Sequence, residues 1–395
     1  MADIEATPYA QPARAPTRLK PLKLLDQLLA LWIFLAMAVG IIIGQFSSAS
    51  EVLERVKFVD VSLPLAIALI VMMWPILCRV SPTSLFKLFS QRQLWLHLAF
   101  SIFVNWIVAP LIMLALVWAF LPDKKDLREG LILVGLARCI AMVLVWTDIA
   151  GGDLDYCAVL VAFNSLLQII LYSPFSILYI KVIAPPSSAN DIHIDYSTVA
   201  KSVAAFLGIP LAAALFTRGF FTSIRAQKFY KDRFLPFIAP LSLIALLFTT
   251  LIIFAAQGKQ VVRSITDVLR VVPPLLIYFL VMFFGTLLVC RQVKVGYGRT
   301  ATQAFTGASN NFELAIAVAV ASYGADSPQA LAATVGPLVE VPVLLGLSYC
   351  LVWYRQRTGW DLPASSSAST LQSEGDLAQQ STSATDVKRK VGEAV

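Results

Sequence analysis

Ten apolar stretches dominate this chain and leave few folds open to it. They run Leu25–Gln45, Val59–Cys78, Leu94–Leu121, Leu131–Asp148, Tyr156–Ile180, Val199–Thr217, Pro236–Ala256, Val272–Cys290, Ala301–Tyr323 and Leu331–Tyr354. Most are near the roughly 20 residues that a helix needs to cross the hydrocarbon core of a bilayer. A soluble core cannot bury a 395-residue chain that is 58% hydrophobic and only 14% charged. The expected fold is an all-α integral membrane protein with ten transmembrane helices, and the lipid bilayer is its first partner.

Loop charge sets the expected orientation. The N-terminal flank, the loops after the second, sixth and eighth stretches, and Arg355 with Arg357 hold seventeen basic residues; the loops after the first, third and seventh stretches hold eight. Both termini are therefore expected in the cytoplasm, and the long polar ends favour the plasma membrane over the vacuole. A net charge of +7 is accounted for by these loops, without nucleic acid. No small-residue cleavage site follows a short apolar core near the start, so the first stretch reads as an uncleaved helix. Residues 361–395 are rich in serine and poor in large apolar side chains, a composition that reads as disordered.

Two segments answer each other across the chain. Arg138 and Cys139 lie in the fourth stretch, which closes on Asp148 and Gly151-Gly152-Asp153; Ser309-Asn310-Asn311-Phe312-Glu313 lie in the ninth, which closes on Gly324-Ala325-Asp326. The two closing triplets are 173 residues apart, and the same offset carries the first, second and third stretches onto the sixth, seventh and eighth. The chain thus reads as two five-helix repeats. An odd number of crossings puts such copies in opposite orientations, the inverted-repeat plan of secondary transporters. The expected divisions are a cytoplasmic flank (1–24), a first repeat (25–180), an extracellular connection (181–198), a second repeat (199–355) and a Ser-rich cytoplasmic tail (356–395).

Polar residues at this density inside a membrane span are tolerated where the backbone lines a cavity or is buried in protein. The fourth and ninth spans are therefore the candidate broken helices, with Asn164 and Gln168 in the fifth and Glu340 in the tenth as neighbours. Cys139 reads either as a small buried apolar residue or as a reactive thiol that Arg138 and a half-helix end favour as thiolate, suited to soft metals and metalloids. Glu313 reads either as an ion-pair partner of Arg138 or as a proton carrier, and Glu340 carries the same two readings. Trp146 reads as packing or an interfacial anchor. The five cysteines show no paired spacing and there are two histidines, so neither a zinc site nor another resident metal is expected. No Ser–His–Asp set occurs and no Walker lysine follows a glycine loop, so no enzymatic activity, cofactor or ATPase subunit is expected.

The blocks Ala137 to Val143, Trp146, Asp148, Gly151 to Asp153, Tyr156 and Ala158 to Ser165, with Ser309 to Ala315 and Gly336 to Pro342, resemble the arsenite efflux permeases of the bile acid/sodium symporter superfamily. The resemblance spans about residues 25–355. It implies two inverted repeats with crossing broken helices four and nine. It also implies export of arsenite, with antimonite as a second candidate, in exchange for protons. It makes Cys139 and Glu313 the substrate pair, with Glu313 coupling protons. Arg138, Trp146, Asn164 and Glu340 match further family positions, and Asn310 and Asn311 lie in the same block. Thr147 departs from the asparagine common there. Two other readings stand: a sodium-coupled organic-anion carrier, and a membrane receptor or sensor.

Overall fold

The computed structural model describes residues 29–46, 55–79, 92–140, 142–183 and 195–360. The expected N-terminal flank, most of the expected connection and the tail beyond Trp360 lie outside the described residues.

Helices dominate. They are α1 (Leu29–Phe46), α2 (Leu63–Arg79), α3 (Arg92–Phe103), α4 (Ala109–Phe120), α5 (Lys125–Leu136), α6 (Met142–Ile149), α7 (Leu154–Ile177), α8 (Tyr196–Val203), α9 (Ile209–Ser223), α10 (Leu235–Arg263), α11 (Ile265–Gln292), α12 (Tyr297–Ala308), α13 (Phe312–Tyr323) and α14 (Pro328–Thr358). Wide π-helical turns join α3 to α4 and α8 to α9, so each pair forms one long rod. Among the described residues, six rods are long and apolar enough to cross a membrane, and Leu31–Phe46, Leu63–Cys78 and Phe312–Tyr323 are shorter apolar helices. The chain is a multi-pass membrane protein.

The ends of these helices follow local chemistry. Ser327 caps α14 by accepting from the Ala330 N–H, Pro328 sits in the first turn, and Gly359 ends the helix at φ 64°. The helix runs on through Pro337 and Pro342, which the sequence suggested would loosen it. The expected second span begins late, because Lys57–Phe58 and Val61–Ser62 form a two-stranded antiparallel hairpin just before α2. Its turn residues Val59 and Asp60 take φ of 51° and 63°, a conformation that a β-branched residue rarely adopts.

The helices pack in two groups. In one, α10 lies against α1 and α2, and α2 against α9; in the other, α4, α5, α6, α7, α11, α12, α13 and α14 pack together. The short helix α8 touches α7 and α13 and so leads from one group to the other. Glycine lets α1 and α10 meet backbone to backbone. A β-carbon on Gly44 would stand 2.4 Å from the Ala255 carbonyl oxygen, and one on Gly258 would stand 2.9 Å from that of Ile41. In lipid, where tails are as apolar as leucine, such close packing is what holds helices together. Gly44→Leu is expected to lower stability by about 1–3 kcal/mol, read as a lower melting temperature in detergent. An unchanged melting curve would mean that the two helices do not rely on this contact.

At the far end of α5, the Gln329 side-chain amide at the start of α14 donates to Asp126 Oδ1 and Glu129 Oε2, both at 3.1 Å. A β-carbon on Gly130 would come within 2.4 Å of the Gln329 carbonyl oxygen. Helices α5 and α14 are thus locked side by side, which fixes where the other end of α5 points.

Candidate functional site

The fourth and ninth apolar stretches are not continuous helices. Helix α5 ends at Leu136 and Ala137 turns extended, at φ −79° and ψ 116°. Helix α12 ends at Ala308 and Ser309 likewise turns extended, at φ −85° and ψ 145°. Asn311 then starts α13, its side chain accepting from the Leu314 N–H at 3.1 Å. Breaking a helix strands peptide groups that cannot be left unpaired in a membrane. Here the two breaks pair with each other. Arg138 and Asn310 form an antiparallel bridge, and the Asn311 N–H donates to the Ala137 carbonyl at 3.0 Å. The Asn310 side-chain amide adds bonds to the carbonyls of Val134, at 2.7 Å, and Ala137, at 3.2 Å. Asparagine suits this place because its amide donates to the carbonyls that the end of α5 leaves open.

Arg138 is fully buried. Its backbone N–H donates to Gln168 Oε1, and its guanidinium donates to the Gly135 carbonyl, to Tyr278 Oη at 3.1 Å and to Asn105 Oδ1 at 3.5 Å. All are neutral acceptors. The ion pair with Glu313 that the sequence allowed is not among them. The cation instead spans from the first break to α11 through Tyr278. Asn105 reaches it because the wide turn between α3 and α4 turns Asn105 and Trp106 inward; such turns recur at functional sites.

The remaining residues take these places. Cys139 is 4% exposed and lies one residue beyond the Arg138–Asn310 bridge. Glu313 sits in the first turn of α13 and is partly buried. Glu340, in mid-α14, is 2% exposed; its carboxylate faces the Ser309 and Trp146 side chains and the Asn310 backbone, with Glu313 within electrostatic range. Trp146 is fully buried on α6. Asn164, on α7, accepts from Trp106 Nε1 at 3.3 Å. Thr147 turns its hydroxyl to Cys157 Sγ at 3.5 Å, which gives the departure from asparagine a local partner. Asn105 and Tyr278 are absent from the residues that the sequence picked out. Asn105 is a polar residue inside an apolar stretch, the signal that found Asn164. Tyr278 offered none, since a tyrosine in a span reads as packing.

One property sets this region apart. Around the breaks, the Trp146, Ser309 and Glu340 side chains face one another, and five further buried side-chain polar atoms among the described residues have no hydrogen-bond partner within the protein. The donors are Arg138 Nε, Asn164 Nδ2, Gln168 Nε2 and Asn311 Nδ2; the acceptor is Asn310 Oδ1. Leaving such atoms dry costs about 1–3 kcal/mol each. Their concentration here gives a small polar solute donors and acceptors together, beside a thiol and two carboxylates.

Known proteins resemble this chain over most of its length. Residues 66–264 match the model of the Sodium Bile acid symporter family. The arsenical-resistance protein Acr3 of Corynebacterium glutamicum is 43% identical over 345 residues, covering 85% of this chain and 92% of that protein. The Acr3 of Alkaliphilus metalliredigens is 29% identical, covering 82% and 90%. An uncharacterized transporter of Synechocystis is 31% identical, covering 82% and 88%. These are transporters rather than enzymes. The identity and coverage, together with the family match from α2 to the end of α10, place the chain in a known group: it belongs to the Acr3 arsenical-resistance proteins of the sodium bile acid symporter family.

Proposed function

We propose that this protein exports trivalent arsenic from the cytoplasm in exchange for protons and so confers arsenic resistance. Antimonite is the second candidate substrate. In this reading the chain crosses the plasma membrane ten times as two inverted five-helix repeats, with both termini inside. Spans four and nine are α5–α6 and α12–α13, crossing at Arg138–Asn310.

The observation that carries the reading is the set of five buried, unpartnered polar atoms around the crossing, next to Cys139. Arsenite at neutral pH is the uncharged As(OH)3, which both donates and accepts hydrogen bonds. Asn164, Gln168 and Asn311 supply donors, while Asn310 supplies an acceptor beside the Trp146, Ser309 and Glu340 group. Cys139 then forms a sulfur–arsenic bond as one arsenic–oxygen bond breaks. The thiol proton leaves with the departing hydroxide as water, and arsenic stays trivalent. Hydrolysis reverses the step on the outer side. A single thiol suits release, since three converging thiolates would hold a soft metalloid fast. Glu313 carries the counter-proton: a partly buried carboxylate at the start of α13, close to the substrate, can be occupied by a proton or leave the site free for arsenite. Arg138 holds the first break in register and keeps a positive field beside the thiol.

Everted membrane vesicles test the coupling. Arsenite uptake is expected to follow an acid-inside gradient, to collapse with a protonophore and to ignore a sodium gradient. Sodium-driven uptake of an organic anion, with no response to arsenite, would replace this reading with the symporter one.

A further inference from the structure

We propose that the turn joining α9 to α10 is a binding surface for anionic phospholipid headgroups. Between Arg218 and Arg233 the chain carries five basic residues (Arg218, Arg225, Lys228, Lys231 and Arg233) against one acidic residue, Asp232. Arg225, Lys228, Lys231 and Arg233 are all exposed. Beside them Phe220, Ile224 and Phe229 are exposed as well, each a large apolar side chain at the edge of two membrane-length helices.

This turn is held rigid from below. Tyr230 is buried, and its hydroxyl donates to the Cys78 carbonyl at the end of α2 at 2.6 Å. Phe221 packs on Phe229, Tyr230 and Phe234, with ring centroids 6.0, 5.3 and 4.8 Å away. Trp74 of α2 meets Phe234 edge to face at 6.3 Å and donates to Thr217 Oγ1 at 3.1 Å. The guanidinium of Arg218 leans over the Tyr230 ring at 6.0 Å. Arg225 itself takes a left-handed backbone, φ 54°, to make the corner.

A loop that needed only to be soluble would not require an aromatic platform fixed to a neighbouring helix. Exposed cations alternating with exposed aromatic and aliphatic side chains fit one environment well: the boundary where lipid phosphates lie above acyl chains. The apolar side chains enter the boundary, and the cations meet the phosphates. The charge ratio selects anionic over zwitterionic lipid. Because the platform grips α2, lipid bound here would steady the group formed by α1, α2, α9 and α10.

The test uses full-length protein in phosphatidylcholine bilayers carrying a trace of spin-labelled phosphatidylglycerol or spin-labelled phosphatidylcholine. Wild type is expected to immobilise the anionic probe several-fold more than the choline probe, with the excess shrinking as salt is added. Combined Arg225→Gln, Lys228→Gln, Lys231→Gln and Arg233→Gln should bring the two probes to near parity, whereas Lys228→Arg with Lys231→Arg should keep the excess. Equal immobilisation of both probes by wild type would overturn the proposal. So would an undiminished excess in the four-fold variant, or displacement of the anionic probe by an acidic peptide. If the four-fold variant is not recovered folded, a wild-type excess that is indifferent to salt would overturn it alone.

Discussion

Cells producing the Cys139→Ala protein are expected to retain arsenite as fully as cells without a transporter, while the variant reaches the membrane in normal amount. The reasoning separates chemistry from scaffold. The paired breaks are held by backbone bonds and by the side chains of Arg138 and Asn310. Alanine at the next position removes one sulfur atom from a buried site and leaves every one of those bonds in place, so folding should survive. What disappears is the group able to bond arsenic covalently. A fall in export of at least tenfold, about 1.4 kcal/mol of barrier, is expected. Cys139→Ser should not restore export, because a hydroxyl lacks the softness that draws arsenic to sulfur. Export by Cys139→Ala at the wild-type rate would return the cysteine to a packing role and leave the polar atoms of the crossing as the whole site.

The second large effect concerns Gly336, in the middle of α14. A β-carbon there would lie 1.8 Å from Cε1 and 2.1 Å from Cδ1 of Phe312, the first residue of α13. No rotamer adjustment absorbs an overlap of that size while Phe312 stays packed against Phe279 at 6.5 Å. Gly336→Ala should therefore drive α13 away from α14, dropping the melting temperature and abolishing export together. Overpacking of this kind costs about 1–3 kcal/mol, and more where backbone must move. Phe312→Ala should partly relieve it: the double variant should melt close to Phe312→Ala alone, well above the sum of the two effects. A double variant that melts lower still would show that Gly336 serves something other than the approach of that ring.

Apolar stretches of membrane length announced the class of this fold, because nothing but lipid or protein can cover so much hydrocarbon. Helix ends were less legible. The hairpin at Val59–Asp60 puts a β-branched valine in a left-handed conformation that it rarely adopts, and a single aspartate is too weak a turn signal to mark it. The breaks in α5–α6 and α12–α13 were legible, since Arg138, Ser309, Asn310 and Asn311 could not sit quietly in unbroken lipid-facing helices. Their pairing was legible only as the correspondence of two segments. The partner of Arg138 was not: a carboxylate was the natural guess from charge alone. The guanidinium instead found the nearby carbonyl of Gly135 in α5, together with an amide and a phenol from segments far away in sequence, which pairwise charge logic does not foresee.

The bond pattern at the crossing bears on how such a molecule can move. The two extended segments satisfy each other's peptide groups through the Asn311–Ala137 bond and the Arg138–Asn310 bridge. Prising them apart would leave bare amides in a dry interior, at a cost of several kcal/mol for each. The knot therefore behaves as a single rigid cradle. On the proposed export reading, cargo is expected to pass with the cradle moving whole, against α1, α2, α9 and α10.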